Sequence, residues 1–296
     1  MKVLVIGSEG QLGSEIKNFS KTQNSISWVF SSIKTLDLLN LNSIDNYLNK
    51  INPTVVINCA AYTNVDKAEK EFYKADIINH KAPELISRWT NKKNRKLIQI
   101  STDYVFGKYD NPPFSPLSKT GPLNLYGLSK LQGEENALES NNKSIIIRTS
   151  SLYSEFGDNF VKTIAKKLIN NENLKIISDQ RISMTYADDF INALIAILNE
   201  KKLEDIISTK LPSIMHYTSD GYTTWFNVAN EILVNLNEYY SNLGVITPIE
   251  YSEWLSKATR PKDSRLSIDY SLLSSLNIKL NPWEFGIKEV LKRLNS

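Results

Sequence analysis

Residues Lys2–Gly13 read KVLVIGSEGQLG. Four apolar positions, Val3 to Ile6, lead into Gly7, and Gly10 and Gly13 follow at three-residue spacing. The apolar run does not alternate with polar residues, so it predicts a strand buried on both faces. From Leu12 to about Asn18 the pattern predicts a helix. A strand that passes through a glycine turn into a helix aims the helix's first N–H groups at the turn, where an anion can sit. In such a loop Gly7 suits the tight turn, Gly10 a close approach of backbone to a pyrophosphate, and Gly13 the packing of helix on strand. The competing reading is an ordinary glycine-rich turn. The place of the loop at the start of a strand–helix–strand unit favours dinucleotide binding.

The same rhythm continues outward from this loop. Strands are predicted at Ile26 to Phe30, Thr54 to Ile57, Lys96 to Ile100 and Ser144 to Arg148. Helical patterns cover Ser43 to Asn49, a long stretch from Val65 to Thr90, and Leu125 to Ala137. Alternating strands and helices with continuously apolar strands imply an α/β fold, a Rossmann-type doubly wound parallel sheet. Residues 1–148 are therefore assigned to a dinucleotide-binding domain. Beyond Thr149 the rhythm breaks, helical patterns run over Phe160 to Leu168 and Asp188 to Asn199, and the aromatic-rich segment Met215 to Phe226 fits neither. Residues 149–296 are expected mainly to form a smaller substrate lobe, interleaved with the first domain because no linker separates them. Elements at about 175–200 are expected to return to the main sheet.

Bulk properties narrow the function. The 296 residues carry a net charge of +3, too balanced for a dedicated nucleic-acid surface. No stretch approaches the length of a membrane span, and the N-terminus does not read as a signal peptide. One cysteine, Cys59, permits no intrachain disulfide, which fits a cytoplasmic setting. With His80 and His216 the only histidines, no metal site is expected. Cys59 is read as a packing residue, and Trp225, Trp254 and Trp283 as packing of the second lobe.

Two further motifs carry chemistry. Ser101-Thr102-Asp103-Tyr104 follows the strand KLIQI, and Tyr126 and Lys130 stand one helical turn apart on one face. A free phenol ionises near pH 10; a neighbouring ammonium is expected to lower that and make it a usable acid–base group. The same ammonium can hold a nicotinamide ribose, and the Thr102 hydroxyl can bind a substrate carbonyl. The second strand ends in Ser31-Ser32, with Lys34 nearby and no acidic residue, which leans toward NADPH over NADH.

The segments GSEGQLG, INCAAYTNVDKAE, IINHKAPE, STDYVFG, PLNLYGLSKLQGE, IIIRTSSLY, GDNFVKTI and ATRPKDSRL occur in this order over nearly the whole length. Together they resemble the extended short-chain dehydrogenase/reductase family, and within it the branch of the dTDP-4-dehydrorhamnose reductases. The resemblance implies that Gly10, Gln11 and Leu12 lie against the cofactor pyrophosphate, Asp37 and Leu38 near the adenosine, and Ala60, Ala61 and Tyr62 along the cofactor. It implies a catalytic set of Thr102, Tyr126 and Lys130, with hydride passing from NADPH (or NADH) to a 4-keto carbon and Tyr126 protonating the oxygen. It also implies a sugar bordered by Val65, Asp103 and Tyr104, with Asn159 in a substrate segment and Arg260 meeting a diphosphate. The implied substrate is a nucleotide sugar, with no nucleic acid or membrane partner and a homodimer left open. Ser151 stands where that branch carries a tryptophan, and Ile182 and Met184 replace a glycine and a proline, so the sugar is less constrained than the hydride chemistry. Two alternatives remain: a related nucleotide-sugar reductase with another sugar, and a cofactor-binding regulatory subunit like that of methionine adenosyltransferase.

Overall fold

β1 (Lys2–Ile6) pairs in parallel with β2 (Ser27–Ser31) on one side and β3 (Val55–Asn58) on the other. β3 pairs with β4 (Lys96–Thr102), β4 with β5 (Ser144–Thr149), and β5 with a last strand, Ile214–His216, all parallel. These pairings come from a computed structural model that describes residues 1–23, 25–109, 111–198 and 213–295. The order across the sheet reverses between β1 and β3, as in a doubly wound α/β fold.

Strand parity explains the two faces. Successive residues of a strand point to opposite sides, and here both sides are core. Val3, Val5, Val55, Ile57, Ile98, Ile145 and Ile147 face one layer, which contains the helices Gln11–Ser20 and Ala187–Leu198. Leu4, Ile6, Val56, Leu97 and Ile146 face the other, which contains the helices Ile44–Ile51 and Ala82–Lys92. The unbroken apolar runs of the sequence are thus each split between two layers.

The helix expected over Val65 to Thr90 is not continuous. A short helix, Val65–Ala68, is capped by Asn64, whose side chain accepts from the Lys67 N–H. A second run then passes from Phe72–Asp76 through a π-helical turn, Ile77–Lys81, into Ala82–Lys92. Pro83 lacks the N–H that an α-helix would direct to Asn79, and the looser turn lies at that place. Asn79 is buried there, and its amide donates to the Tyr62 carbonyl (3.0 Å) and to Ser129 Oγ (3.0 Å).

The smaller lobe has its own core of Val161, Ile164, Leu168, Val228, Ile232, Ile287 and Val290. These come from the helices Phe160–Ile169, Trp225–Leu236 and Trp283–Leu294. Leu174–Ile177 pairs in parallel with Ile246–Ile249 in this lobe. Of the stretch near 175–200, the helix Ala187–Leu198 packs on the main sheet, and residues 199 and 200 lie outside the described residues. The strand that joins the sheet edge, Ile214–His216, belongs to the aromatic-rich segment that fits no simple pattern.

Candidate active site

A cleft of about 760 Å³ opens where the sheet order reverses. Gly7 follows β1 with φ of +83°, a conformation open to glycine. Its carbonyl lies so close to Gly13 that a Cβ on Gly13 would come within 2.2 Å. Gly13 therefore lies beneath the loop, while Gly7, Gly10, Gln11 and Leu12 border the cleft. Gly10 caps the helix Gln11–Ser20 without a side-chain acceptor, leaving first-turn N–H groups for an anion. Gln11 Nε2 and Ser101 Oγ are buried with no hydrogen-bond partner among the described residues, and both residues border the cleft. Unpaired donors of this kind fit a ligand rich in oxygen acceptors, as a nicotinamide dinucleotide is.

Along the same cleft lie Asp37, Leu38, Ala60 and Ala61, together with Ser32 and Ile33. Tyr62 does not border it. Its backbone N–H donates to Asn79 Oδ1 (2.8 Å), and its hydroxyl donates to Glu71 (2.9 Å). Thr102, Asp103, Tyr126, Lys130 and Ser151 border the cleft from the ends of β4 and β5 and from the helix Leu125–Ser140. Ser151 sits at φ of +44°, in the left-handed region.

Four residues implied for the substrate lie elsewhere. Tyr104 and Arg260 line a second hollow of about 230 Å³ with Phe160, Lys175, Gln180, Trp225 and Trp254. The Tyr104 ring meets the Tyr126 ring edge-on at 5.9 Å, so the two hollows adjoin. Val65 borders neither hollow. Asn159 caps the helix Phe160–Ile169: it accepts from the Lys162 N–H (3.0 Å) and donates to the Ser154 carbonyl (2.8 Å). Ile182 and Met184 are buried in the small-lobe core rather than in the cleft. Trp283 packs there and Trp225 packs against the same core while also lining the second hollow, whereas Trp254 is 38 % exposed. Ser101, Thr149, Ser150 and Asp158, beyond the residues the sequence points to, also border the cleft. Ser101 carried a usable signal, since it stands next to Thr102 in the strand-end motif.

Electrostatics of the cleft follow from burial. Lys130 is 4 % exposed and donates to the Ile100 carbonyl at 2.6 Å. Burial drives its ammonium down to about 8, against the pull of the Glu134 carboxylate. Burial drives the Tyr126 phenol up to about 12, although a hydrogen bond with Thr102 favours its ionised form. The expected lowering of the phenol by Lys130 is thus not what the cleft shows: Lys130 is turned onto a backbone carbonyl, and both groups are desolvated. Asp103 is also buried and shifted upward by that burial, while Thr102 Oγ1 (3.1 Å) and Ser150 Oγ (2.9 Å) donate to its carboxyl. Cys59 is pushed up to about 12 by burial, which keeps it a thiol and suits packing rather than nucleophilic attack.

These shifts set a pH dependence. In the free protein Tyr126 stays protonated through the neutral and mildly alkaline range, while Lys130 carries its charge below about 8 and loses it above. If Lys130 acts as a cation, kcat/KM is expected to stay level up to about pH 8 and then fall, because that ratio reports groups of the free enzyme. A profile that stays level to pH 10 would show that the lysine keeps an ordinary pKa in the free enzyme, against the depression expected from its burial.

A family model described as RmlD substrate binding domain matches residues 1–296. The dTDP-4-dehydrorhamnose reductase of Aggregatibacter actinomycetemcomitans is 28 % identical over 291 residues, covering 98 % of each chain. Among solved structures, a dTDP-4-dehydrorhamnose reductase from Clostridium acetobutylicum superposes with a TM-score of 0.88 at 30 % identity over 100 % of both chains. One from Bacillus anthracis, in complex with NADP, superposes with a TM-score of 0.84 at 31 % identity over 99 % of both.

Proposed function

The chain belongs to the family described as RmlD substrate binding domain, and on that footing we propose that it reduces the 4-keto group of a nucleotide-linked deoxysugar with NADPH. The substrate we assign is dTDP-4-dehydro-L-rhamnose and the product dTDP-L-rhamnose; the relatives are named as dTDP-4-dehydrorhamnose reductases. The observation that carries this reading is convergence. One cleft is bordered by an uncapped, glycine-started helix and by the side chains of Thr102, Tyr126 and Lys130.

Each residue then has a task. The loop from Gly7 to Leu12 holds the pyrophosphate, and Asp37 and Leu38 take the adenosine end. Bound NADPH supplies the hydride. Tyr126, neutral because it is buried, is in the right state to give a proton to the sugar oxygen. Thr102 borders the same cleft, and its one hydroxyl proton, directed at Asp103 here, can turn to the keto oxygen. Lys130 supplies a cation beside the nicotinamide ribose. Arg260, in the adjoining hollow, receives the diphosphate, for which a guanidinium is well shaped. We place the reaction in the cytoplasm, where NADPH and nucleotide sugars are both available.

Stoichiometric oxidation of NADPH with dTDP-4-dehydro-L-rhamnose tests the proposal, run beside other 4-keto nucleotide sugars and their uridine counterparts. Turnover confined to a different sugar would correct the substrate. Tight NADPH binding with no turnover on any of them would overturn the enzyme reading.

A further inference from the structure

Asp66 borders neither hollow, and no task in the reaction falls to it. It lies on the short helix Val65–Ala68, yet it makes four bonds to a loop about 190 residues further along the chain. Its Oδ1 accepts from the backbone N–H groups of Lys257 (3.2 Å) and Ala258 (3.0 Å) and from Arg260 Nη1 (3.2 Å). Its Oδ2 accepts from Arg260 Nη2 at 2.7 Å. A carboxylate that engages both terminal nitrogens fixes the plane of a guanidinium as well as its position.

Other contacts make the arrangement more than a surface ion pair, which by itself contributes little. The Arg260 side chain is 14 % exposed. Its Nη1 also donates to the Ala258 carbonyl (3.1 Å), its guanidinium lies 4.6 Å from the Trp254 ring centre, and it lines the second hollow together with Tyr104. The loop is tied down a second time by Asn124, which donates to the Thr259 carbonyl (2.9 Å) and accepts from the Gly127 N–H at the start of the Tyr126 helix (2.8 Å). Glu69, one residue beyond the Asp66 helix, accepts from the Leu125 N–H (2.8 Å). One short segment thus registers both the helix bearing Tyr126 and the loop bearing Arg260.

We propose that Asp66 is a positioning residue for the substrate: it holds the Arg260 guanidinium over Trp254 in the second hollow, ready to receive the phosphates of the nucleotide sugar. The inference rests on the nucleotide-sugar reading and assigns to it a residue outside both cavities. An arginine side chain has many rotamers, and immobilising one on binding costs affinity. Asp66 removes that cost beforehand. The effect belongs to substrate binding, not to hydride transfer, because Asp66 touches none of the residues assigned to the chemistry.

Asp66→Asn separates this role from mere docking of the loop. An asparagine keeps an Oδ1 that can accept from the Lys257 and Ala258 N–H groups, but it places an amide and no charge opposite Arg260 Nη2. Calorimetry with dTDP as probe, together with steady-state kinetics, would compare wild type, Asp66→Asn, Arg260→Ala and the double variant. The dTDP Kd and the sugar-nucleotide KM are expected to rise about tenfold in Asp66→Asn. NADPH affinity should be unchanged and kcat should stay within about twofold. In the Arg260→Ala background the asparagine should add little, because Asp66 acts through Arg260. Unchanged dTDP affinity in Asp66→Asn, or a full additional loss on top of Arg260→Ala, would overturn the inference. Wild-type protein that binds NADPH but not dTDP would overturn the nucleotide-sugar reading itself, and this inference with it.

Discussion

Tyr126→Phe is expected to lower kcat by about two to four orders of magnitude, the range that a positioned general acid contributes, while NADPH still binds. The substitution removes one oxygen and leaves the ring, so the edge-on contact with Tyr104 at 5.9 Å can persist. What is lost is a proton donor in the reduction. With its pKa raised to about 12 by burial, Tyr126 is a neutral phenol throughout the working range. Once the proton has left, the phenolate sits in the same desolvated cleft, where a charged Lys130 one helical turn away is the group able to stabilise it. Cofactor titration beside single-turnover kinetics separates binding from chemistry. A phenylalanine variant that kept more than about one-tenth of kcat would show that the proton comes from elsewhere.

The largest effect on stability is expected at Glu134, on the same helix. Its carboxylate accepts from Arg148 Nε at 3.0 and 3.1 Å and from Nη2 at 2.7 Å, and the two side chains are 1 % and 2 % exposed. Arg148 also donates to the Pro116 carbonyl (3.3 Å) and lies 5.0 Å from the Phe106 ring centre. Glu134→Ala leaves a buried guanidinium without its counter-charge, a change that costs about 3–5 kcal/mol. His216 offers no relief. Burial, reinforced by the Arg148 charge, holds its pKa down to about 3, so it is neutral and brings no negative charge. Urea unfolding of the variant checks the prediction. Pairing Glu134→Leu with Arg148→Met should recover most of the loss, because two apolar side chains remove the desolvation penalty together with the attraction. A loss below about 1 kcal/mol in Glu134→Ala would mean that the pair is worth no more than a surface contact.

The fold was legible because its signal is local and periodic. A run such as KVLVI declares a strand buried on two sides, and the parity of Val3 and Val5 against Leu4 and Ile6 then follows from the geometry of a strand. The glycine loop and the Tyr126–Lys130 spacing are likewise written within a few residues, and the tight approach of Gly13 to the Gly7 carbonyl is the kind of contact such spacing anticipates. The long helix expected over Val65 to Thr90 was less legible, because apolar periodicity does not register a short turn or the single missing N–H of Pro83.

Tertiary structure decided what depends on pairing distant polar groups. Nothing in the residues flanking Asp66 announces Arg260, or in those flanking Glu134 announces Arg148, since a charged residue in sequence reads the same whether it meets water or a buried partner. The tertiary structure also put Ile182 and Met184 into the small-lobe core, Asn159 onto a helix cap and Tyr62 onto Glu71. It reversed the expected shift of Tyr126 as well. A pKa is set by the water excluded around a group and by where its neighbours point, and the chain fixes neither until it has folded.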